Sequence, residues 1–80
     1  MKLSYTLKFR SNFKKFPKEI RDKFYKQARF LSQNLRHPSL HSKKYDESIG
    51  IWQGRVDKDV RFYFLIENDT YVFLDIRHHH

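Results

Sequence analysis

The chain has 80 residues and no cysteine, and its 17 Lys and Arg against 9 Asp and Glu give a formal net charge of +8 at neutral pH. This length predicts one small domain over residues 1–80. The lack of cysteine excludes a disulfide framework and a thiolate metal site. Because no apolar run reaches membrane-spanning length and the N-terminus has no signal-peptide core, we expect a cytoplasmic protein. The charge indicates a polyanionic partner: RNA, DNA, a ribosome or an acidic protein.

The N-terminal half predicts one strand and two helices. Residues 2–10 alternate apolar and polar side chains, as a half-buried strand does. Ser11 can then cap a short helix that runs through Phe16, and Pro17 suits the first position of a longer helix. Apolar residues of that second helix recur at spacings of four, four, three and four, which forms a stripe that packs on a sheet. The members of the stripe are Ile20, Phe24, Ala28, Leu31 and Leu35.

The C-terminal half predicts three consecutive strands over residues 51–56, 60–67 and 71–77, which are rich in β-branched and aromatic residues. An irregular basic connection over residues 37–50 precedes them, and in it Lys43 and Lys44 enter a short edge strand. The order of elements predicts an α+β fold, β-α-α-β(β)ββ, in which an antiparallel sheet packs on two N-terminal helices.

The apolar pattern also predicts the register of the three strands. Even positions are mostly apolar or small and share one face if both hairpin loops have three residues, 57–59 and 68–70, each with one residue in the left-handed region. Arg55 then faces Arg61, Arg61 faces Arg77, and Gly54 leaves room for the ring of Phe62. The predicted core positions are Trp52, Gly54, Val56, Phe62, Phe64, Ile66, Val72, Leu74 and Ile76.

Three arginines in a row across three strands require an explanation, because like charges placed opposite one another destabilise a sheet. Two explanations are open: the row is a solvated basic face, or it holds an anion. RNA phosphate is the obvious anion, since guanidinium binds it in bidentate fashion and does not lose its charge.

Several short motifs, each weak alone, follow one another in a specific order and spacing. They are His37-Pro38-Ser39-Leu40, then Lys43-Lys44-Tyr45, Ile51-Trp52 with Arg55-Val56, Val60-Arg61-Phe62-Tyr63-Phe64 and Leu74-Asp75-Ile76-Arg77-His78-His79. Together they resemble the RelE/ParE superfamily of toxins from type II toxin–antitoxin systems, and most nearly its YoeB-like and YafQ-like mRNA interferases. The resemblance implies the RelE-like microbial RNase fold over the whole chain.

The resemblance further implies a ribosome-dependent mRNA endoribonuclease that needs no metal or other cofactor and that a cognate antitoxin inhibits. An RNA 2′-hydroxyl would attack the adjacent phosphate and leave a 2′,3′-cyclic phosphate. Matched residue by residue, Arg61, Arg55 and His79 are the implied catalytic residues. The implied RNA-binding residues are Lys43, Lys44, His41, Arg77 and Tyr63.

The sequence leaves three points open: the second proton-transfer residue, the origin of the terminal histidines and the choice among competing functions. The chemistry requires two proton transfers, and besides His79 the candidates are His41, His78 and Lys44. The terminal run His78-His79-His80 also has the composition of a purification tag, and the sequence does not decide whether it is native. Two other functions compete with the nuclease: a ParE-like inhibitor of DNA gyrase, and a degenerate member that binds antitoxin or RNA without cutting.

Overall fold

The structure is a computed structural model that describes residues 1–79, in which two helices pack on a mixed five-stranded sheet. The strands are β1 (Lys2–Tyr5), β2 (Lys43–Asp46), β3 (Ile51–Arg55), β4 (Val60–Glu67) and β5 (Thr70–His78); the helices are α1 (Leu7–Phe13) and α2 (Lys18–Gln33), and a 3₁₀ helix spans Pro38–Leu40. The spatial strand order is β1-β5-β4-β3-β2. β2 to β5 form the predicted antiparallel meander. The α+β prediction is confirmed, and the sheet is mixed because β1 enters parallel to β5.

The first helix begins earlier than the sequence predicts. β1 ends at Tyr5, and Thr6 caps α1: its hydroxyl accepts a hydrogen bond from the Phe9 backbone N–H at 3.1 Å. The predicted strand over residues 2–10 and the cap at Ser11 are therefore wrong. The alternation continued misleadingly through Leu7, whose side chain is 86% exposed, whereas Phe9 is buried at a helical position.

The second helix begins at Lys18, next to the predicted start at Pro17, but it ends at Gln33, so Leu35 of the predicted stripe lies beyond its C-terminus. Pro17 is the N-cap of α2, and Phe24, Ala28 and Leu31 of the predicted stripe are buried. The Phe24 ring lies 5.2 to 5.5 Å from the rings of Phe73 and Phe62, so α2 covers one face of the sheet. Ile20 and Leu35 pack at the edges of the same core. Neither helix in residues 1–79 combines the length and apolar composition that crossing a membrane requires.

The predicted register around the arginines is confirmed. Gly54 pairs with Phe62, Arg55 with Arg61, and Arg61 with Arg77. A Cβ atom on Gly54 would lie 2.3 Å from the Phe62 ring, so the glycine does make room for that ring. In the first loop no residue is left-handed; instead the Asp57 carboxylate accepts hydrogen bonds from the backbone N–H groups of Asp59 and Val60.

The second hairpin reaches this register by a different route. Its loop has two residues, with Glu67 paired to Thr70 and Asn68 left-handed at φ +54°. The register then shifts by one between Tyr63 and Phe64, where a β-bulge at Leu74 restores the predicted pairing. Before the bulge, the odd positions of β5 face the core, opposite the even positions of β4. Tyr71 and Phe73 are therefore buried there, and the prediction that Val72 and Leu74 are core residues is wrong. The same prediction is wrong for Ile66, which pairs with Tyr71 but is 38% exposed at the end of the sheet.

Candidate active site

The face of the sheet opposite α2 holds a polar cavity of about 380 Å³ near the loop that closes the first hairpin. We call it the arginine pocket. It is assembled from the segment after the 3₁₀ helix, from β2, β3 and β4, and from the residue that follows β5. Its lining residues are His41, Ser42, Lys43, Gln53, Arg55, Arg61 and His79. The fold thus brings together five of the eight residues that the sequence predicted for the site.

Arg61 is the most buried charge of the arginine pocket, with only 8% of the residue exposed. Its Nη1 donates hydrogen bonds to the backbone carbonyls of Asp57, at 2.5 Å, and Val60, at 3.1 Å. No carboxylate of residues 1–79 forms an ion pair with it. A buried charge without a counter-ion is costly, so this position favours a bound anion.

Arg55 adds an unsatisfied hydrogen-bond donor beside the unpaired charge of Arg61. Within residues 1–79 its Nε is the one buried side-chain nitrogen or oxygen with no hydrogen-bond partner. Its Nη1 lies 3.5 Å from Nε2 of His41, and His41 adopts the left-handed conformation with φ +46°. The lining residues include two arginines and a lysine but no carboxylate. The pocket is therefore built for negative charge, and it has two imidazoles at its margin.

His79 and His78 lie on different sides of the sheet. The His79 backbone N–H donates to the Asp59 carbonyl at 2.7 Å, which extends the β4–β5 pairing by one step, and its exposed side chain lines the arginine pocket. His78 instead packs against Phe16, with 5.0 Å between ring centroids. His80, which the sequence left open as tag or native, lies outside the described residues.

Lys44 also lies away from the arginine pocket. It pairs with Trp52, and its Nζ sits 4.9 Å from the Trp52 ring, whereas its neighbour Lys43 lines the pocket. Trp52 itself packs against the core. Among the three candidates for the second proton transfer, only His41 is therefore in the pocket.

Arg77 and Tyr63 belong to a second cavity on the same face, of about 410 Å³, which we call the tyrosine pocket. The Arg77 guanidinium lies 4.4 Å from the Tyr63 ring centroid and its Nε is 3.3 Å from the Asp75 carboxylate. Burial alone would lower the pKa of Arg77, but contact with the Tyr45 hydroxyl and the charge of Asp75 raise it above its ordinary value. The three arginines thus have the predicted register, but Arg77 already forms an ion pair with Asp75.

Some lining residues were missed by the sequence reasoning. Gln53 is 6% exposed and lies two residues before Arg55, so strand alternation alone would have placed it on the same face. Ser42 is in an irregular segment and gave no signal. Tyr45, whose ring centroid lies 4.8 Å from that of Tyr63, lines the tyrosine pocket. No three or more His, Asp or Glu side chains within residues 1–79 are grouped to hold a metal ion.

Comparison with known proteins gives matches in structure alone. No protein-family model and no curated protein matches the sequence. A YoeB/ParE toxin from Agrobacterium tumefaciens aligns over 100% of both chains, with a TM-score of 0.83 and 16% identity. The YoeB dimer from Staphylococcus aureus aligns over 100% of this chain and 98% of its own, with a TM-score of 0.84 and 12% identity.

An archaeal structure extends the comparison. RelE in the RelB–RelE antitoxin–toxin complex from Methanococcus jannaschii covers 94% of this chain and 88% of its own, with a TM-score of 0.75 and 19% identity. The chain has the RelE/ParE toxin fold. The fold that the resemblance implied is thereby confirmed. At this low identity the match to RelE/ParE structures assigns no residue a role, so the site is argued from its own geometry.

Proposed function

We propose that this chain is the toxin of a toxin–antitoxin system and that it cleaves mRNA at the arginine pocket. The observation that carries the proposal is the buried Arg61 guanidinium, which lacks a carboxylate partner within residues 1–79 and lies beside Arg55 with its unsatisfied Nε. An RNA phosphate would supply the missing negative charge and accept the free N–H donors. The RelE/ParE fold supports the same function.

The pocket has the groups that transesterification of RNA requires. The 2′-hydroxyl attacks the adjacent phosphorus, the P–O5′ bond breaks, and the products are a 2′,3′-cyclic phosphate and a free 5′-hydroxyl. Arg61 and Arg55 stabilise the charge that builds on the non-bridging oxygens. Because guanidinium is too weak an acid to transfer protons, His79 and His41 divide the two transfers: one accepts the proton of the 2′-hydroxyl and the other protonates the leaving oxygen. No step of this scheme calls for a metal ion.

The neighbouring residues extend the RNA site beyond the scissile phosphate. Lys43 on β2 binds an adjacent phosphate as a point charge. The tyrosine pocket takes a nucleobase: aromatic side chains stack on bases of any sequence, and Tyr63 and Tyr45 line it together with Arg77. Lys44, which lies over Trp52, contributes only to the long-range positive field.

The partners proposed for the chain are a cognate antitoxin, mRNA and the ribosome, and the proposed compartment is the cytoplasm. RelE is bound to an antitoxin in the Methanococcus complex, and this chain shares its fold. The net charge of +8 supports an association with the polyanionic ribosome. The same positive charge suits an antitoxin that supplies carboxylates to the arginine pocket.

Cleavage of mRNA in programmed ribosomes tests the proposal. The wild-type chain should cut within the A-site codon and leave cyclic-phosphate ends, while Arg61→Ala should lose at least about 10²-fold in rate, the usual effect of removing one charge-stabilising donor. Arg29→Ala, an exposed arginine of α2, is the matched control and should cut like wild type.

Each other result has a definite meaning. A folded wild-type chain that stops growth but leaves mRNA intact would contradict the nuclease and favour the gyrase inhibitor. A chain that is folded, non-toxic and inactive would favour the degenerate binder. Arg61→Ala cutting at the wild-type rate would remove Arg61 from the mechanism.

A further inference from the structure

A single polar side chain interrupts the apolar stripe of α2. Gln27 is 4% exposed, one turn from Phe24 and next to Ala28, at a position where the pattern of the helix predicts an apolar residue. A buried amide is costly unless its hydrogen bonds are satisfied. The surroundings of Gln27 satisfy both ends of its amide.

The three hydrogen bonds of Gln27 join three separate parts of the chain. Its Nε2 donates to the Ser39 carbonyl at 2.9 Å and to the Arg55 carbonyl at 2.7 Å, and its Oε1 accepts from the Ser39 hydroxyl at 2.9 Å. Both Nε2 protons are thus used. Ser39 belongs to the 3₁₀ helix and Arg55 ends β3, so one amide fixes the distance between these two elements.

The 3₁₀ helix and β3 position residues on two sides of the arginine pocket. Arg55 lines it directly, and Ser39 lies two residues before His41. Residues 37–42 are held in place along their length. The Ser39 N–H donates to Nδ1 of His37, Leu40 is fully buried, and the Ser42 hydroxyl donates to the Leu35 carbonyl. The left-handed conformation of His41 is costly for a residue with a Cβ and persists where its surroundings impose it.

We propose that Gln27 is a positioning residue of the site: it holds the backbone of His41 against that of Arg55, so that the imidazole stands beside the guanidinium. The two side chains approach to 3.5 Å between Nε2 and Nη1. The inference rests on the proposed nuclease, in which His41 makes one of the proton transfers. Gln27 does not line the arginine pocket, so it acts through the position of His41 relative to Arg55.

A double-mutant cycle on single-turnover RNA cleavage tests this role. Gln27→Met keeps the length of the side chain and removes all three hydrogen bonds; it should slow cleavage by about 10²-fold, the cost of a small misplacement of a catalytic group. His41→Ala should lose about 10²- to 10⁴-fold. If Gln27 acts through His41, Gln27→Met should cost no more than about twofold in the His41→Ala background, within the usual scatter of such cycles. Losses that multiply would overturn the inference.

Two further variants separate positioning from loss of folding. Ser39→Ala removes only the hydroxyl that donates to Gln27, so it should slow cleavage less than Gln27→Met and should likewise have no added effect when His41 is alanine. Gln33→Met, an exposed glutamine on the same helix, is the matched control and should leave the rate unchanged. All rates are measured at a temperature at which circular dichroism shows each variant fully folded.

An NMR measurement tests the inference independently of activity. The wild-type chain should give nuclear Overhauser effects between the His41 ring and the Arg55 side chain, and Gln27→Met should lose them while the core aromatic signals stay dispersed. Their survival in Gln27→Met would overturn the positioning role even if the wild-type chain cleaves RNA. If the wild-type chain cleaves nothing, the proposed function fails, and these effects alone decide whether Gln27 positions His41.

Discussion

At the scale of the residue, the buried charge of Arg61 lowers the stability of the fold, and the proposed binding of an anion accounts for its presence. The residue is 8% exposed, its Nη1 donates to two backbone carbonyls, and within residues 1–79 no carboxylate pairs with it. Apolar residues often replace buried charges without loss of stability. Stored strain and unpaired charge tend to be kept where a ligand uses them, which is the role proposed for the arginine pocket.

This cost can be measured by thermal unfolding in buffers with and without inorganic phosphate. In anion-free buffer we expect Arg61→Met to be more stable than wild type, by about 1 kcal/mol. Phosphate at about ten times its Kd should stabilise the wild type by about 1.4 kcal/mol, which is at least about 5 °C in Tm for a domain of this size, and should leave Arg61→Met unchanged. Equal shifts in both proteins would mean that phosphate binds elsewhere.

At the scale of the element, the sequence predicts features that depend on local patterns, and it misses features that depend on the tertiary structure. The stripe of α2 and the pairing of Arg55 with Arg61 follow from periodicity and loop length, and both are confirmed. The bulge at Leu74 lies outside such rules, because a two-residue loop and a three-residue loop are both compatible with Asn68 and Asp69. The start of α1 was missed because Phe9 fits both periods: it alternates with Tyr5 and Leu7 as in a strand, and it lies four residues before Phe13 as on one face of a helix.

The pairing of Gly54 with Phe62 gives a prediction about this sheet. Gly54→Ala would place a Cβ 2.3 Å from the Phe62 ring, so it should lower the free energy of unfolding in urea by about 1 to 3 kcal/mol, the usual cost of overpacking. Phe62→Leu removes the ring, and in that background Gly54→Ala should cost clearly less. An equal cost in both backgrounds would mean that backbone freedom, and not the ring, requires glycine.

At the scale of the whole molecule, the candidate site is a product of assembly. Its lining comes from residues 41–43, 53–61 and 79, and Gln27 supports it from a distant helix. Sequence reasoning placed Arg55 opposite Arg61 because the pairing of a hairpin is encoded locally, whereas His79 was named only through the resemblance. It did not separate Lys43 from Lys44, because that requires the pairing of β2 with β3, which sets the face of each lysine. It did not place Arg77 in the tyrosine pocket, because that depends on the contacts of Arg77 with Tyr63 and Asp75.

The pair Lys43 and Lys44 tests whether position or net charge governs RNA binding. Both side chains are exposed, and either alanine variant lowers the net charge equally, from +8 to +7. Only Lys43 lines the arginine pocket, while Lys44 lies over the Trp52 ring.

A lysine that neutralises one phosphate of a single strand contributes about 0.7 to the slope of log K against log salt concentration. With a 2′-O-methyl RNA that resists cleavage, Lys43→Ala should therefore reduce the slope by about 0.7, and Lys44→Ala should leave it unchanged. Equal reductions would mean that the chain binds RNA through its overall positive charge. They would contradict the proposal that a phosphate binds at a defined position beside the arginine pocket.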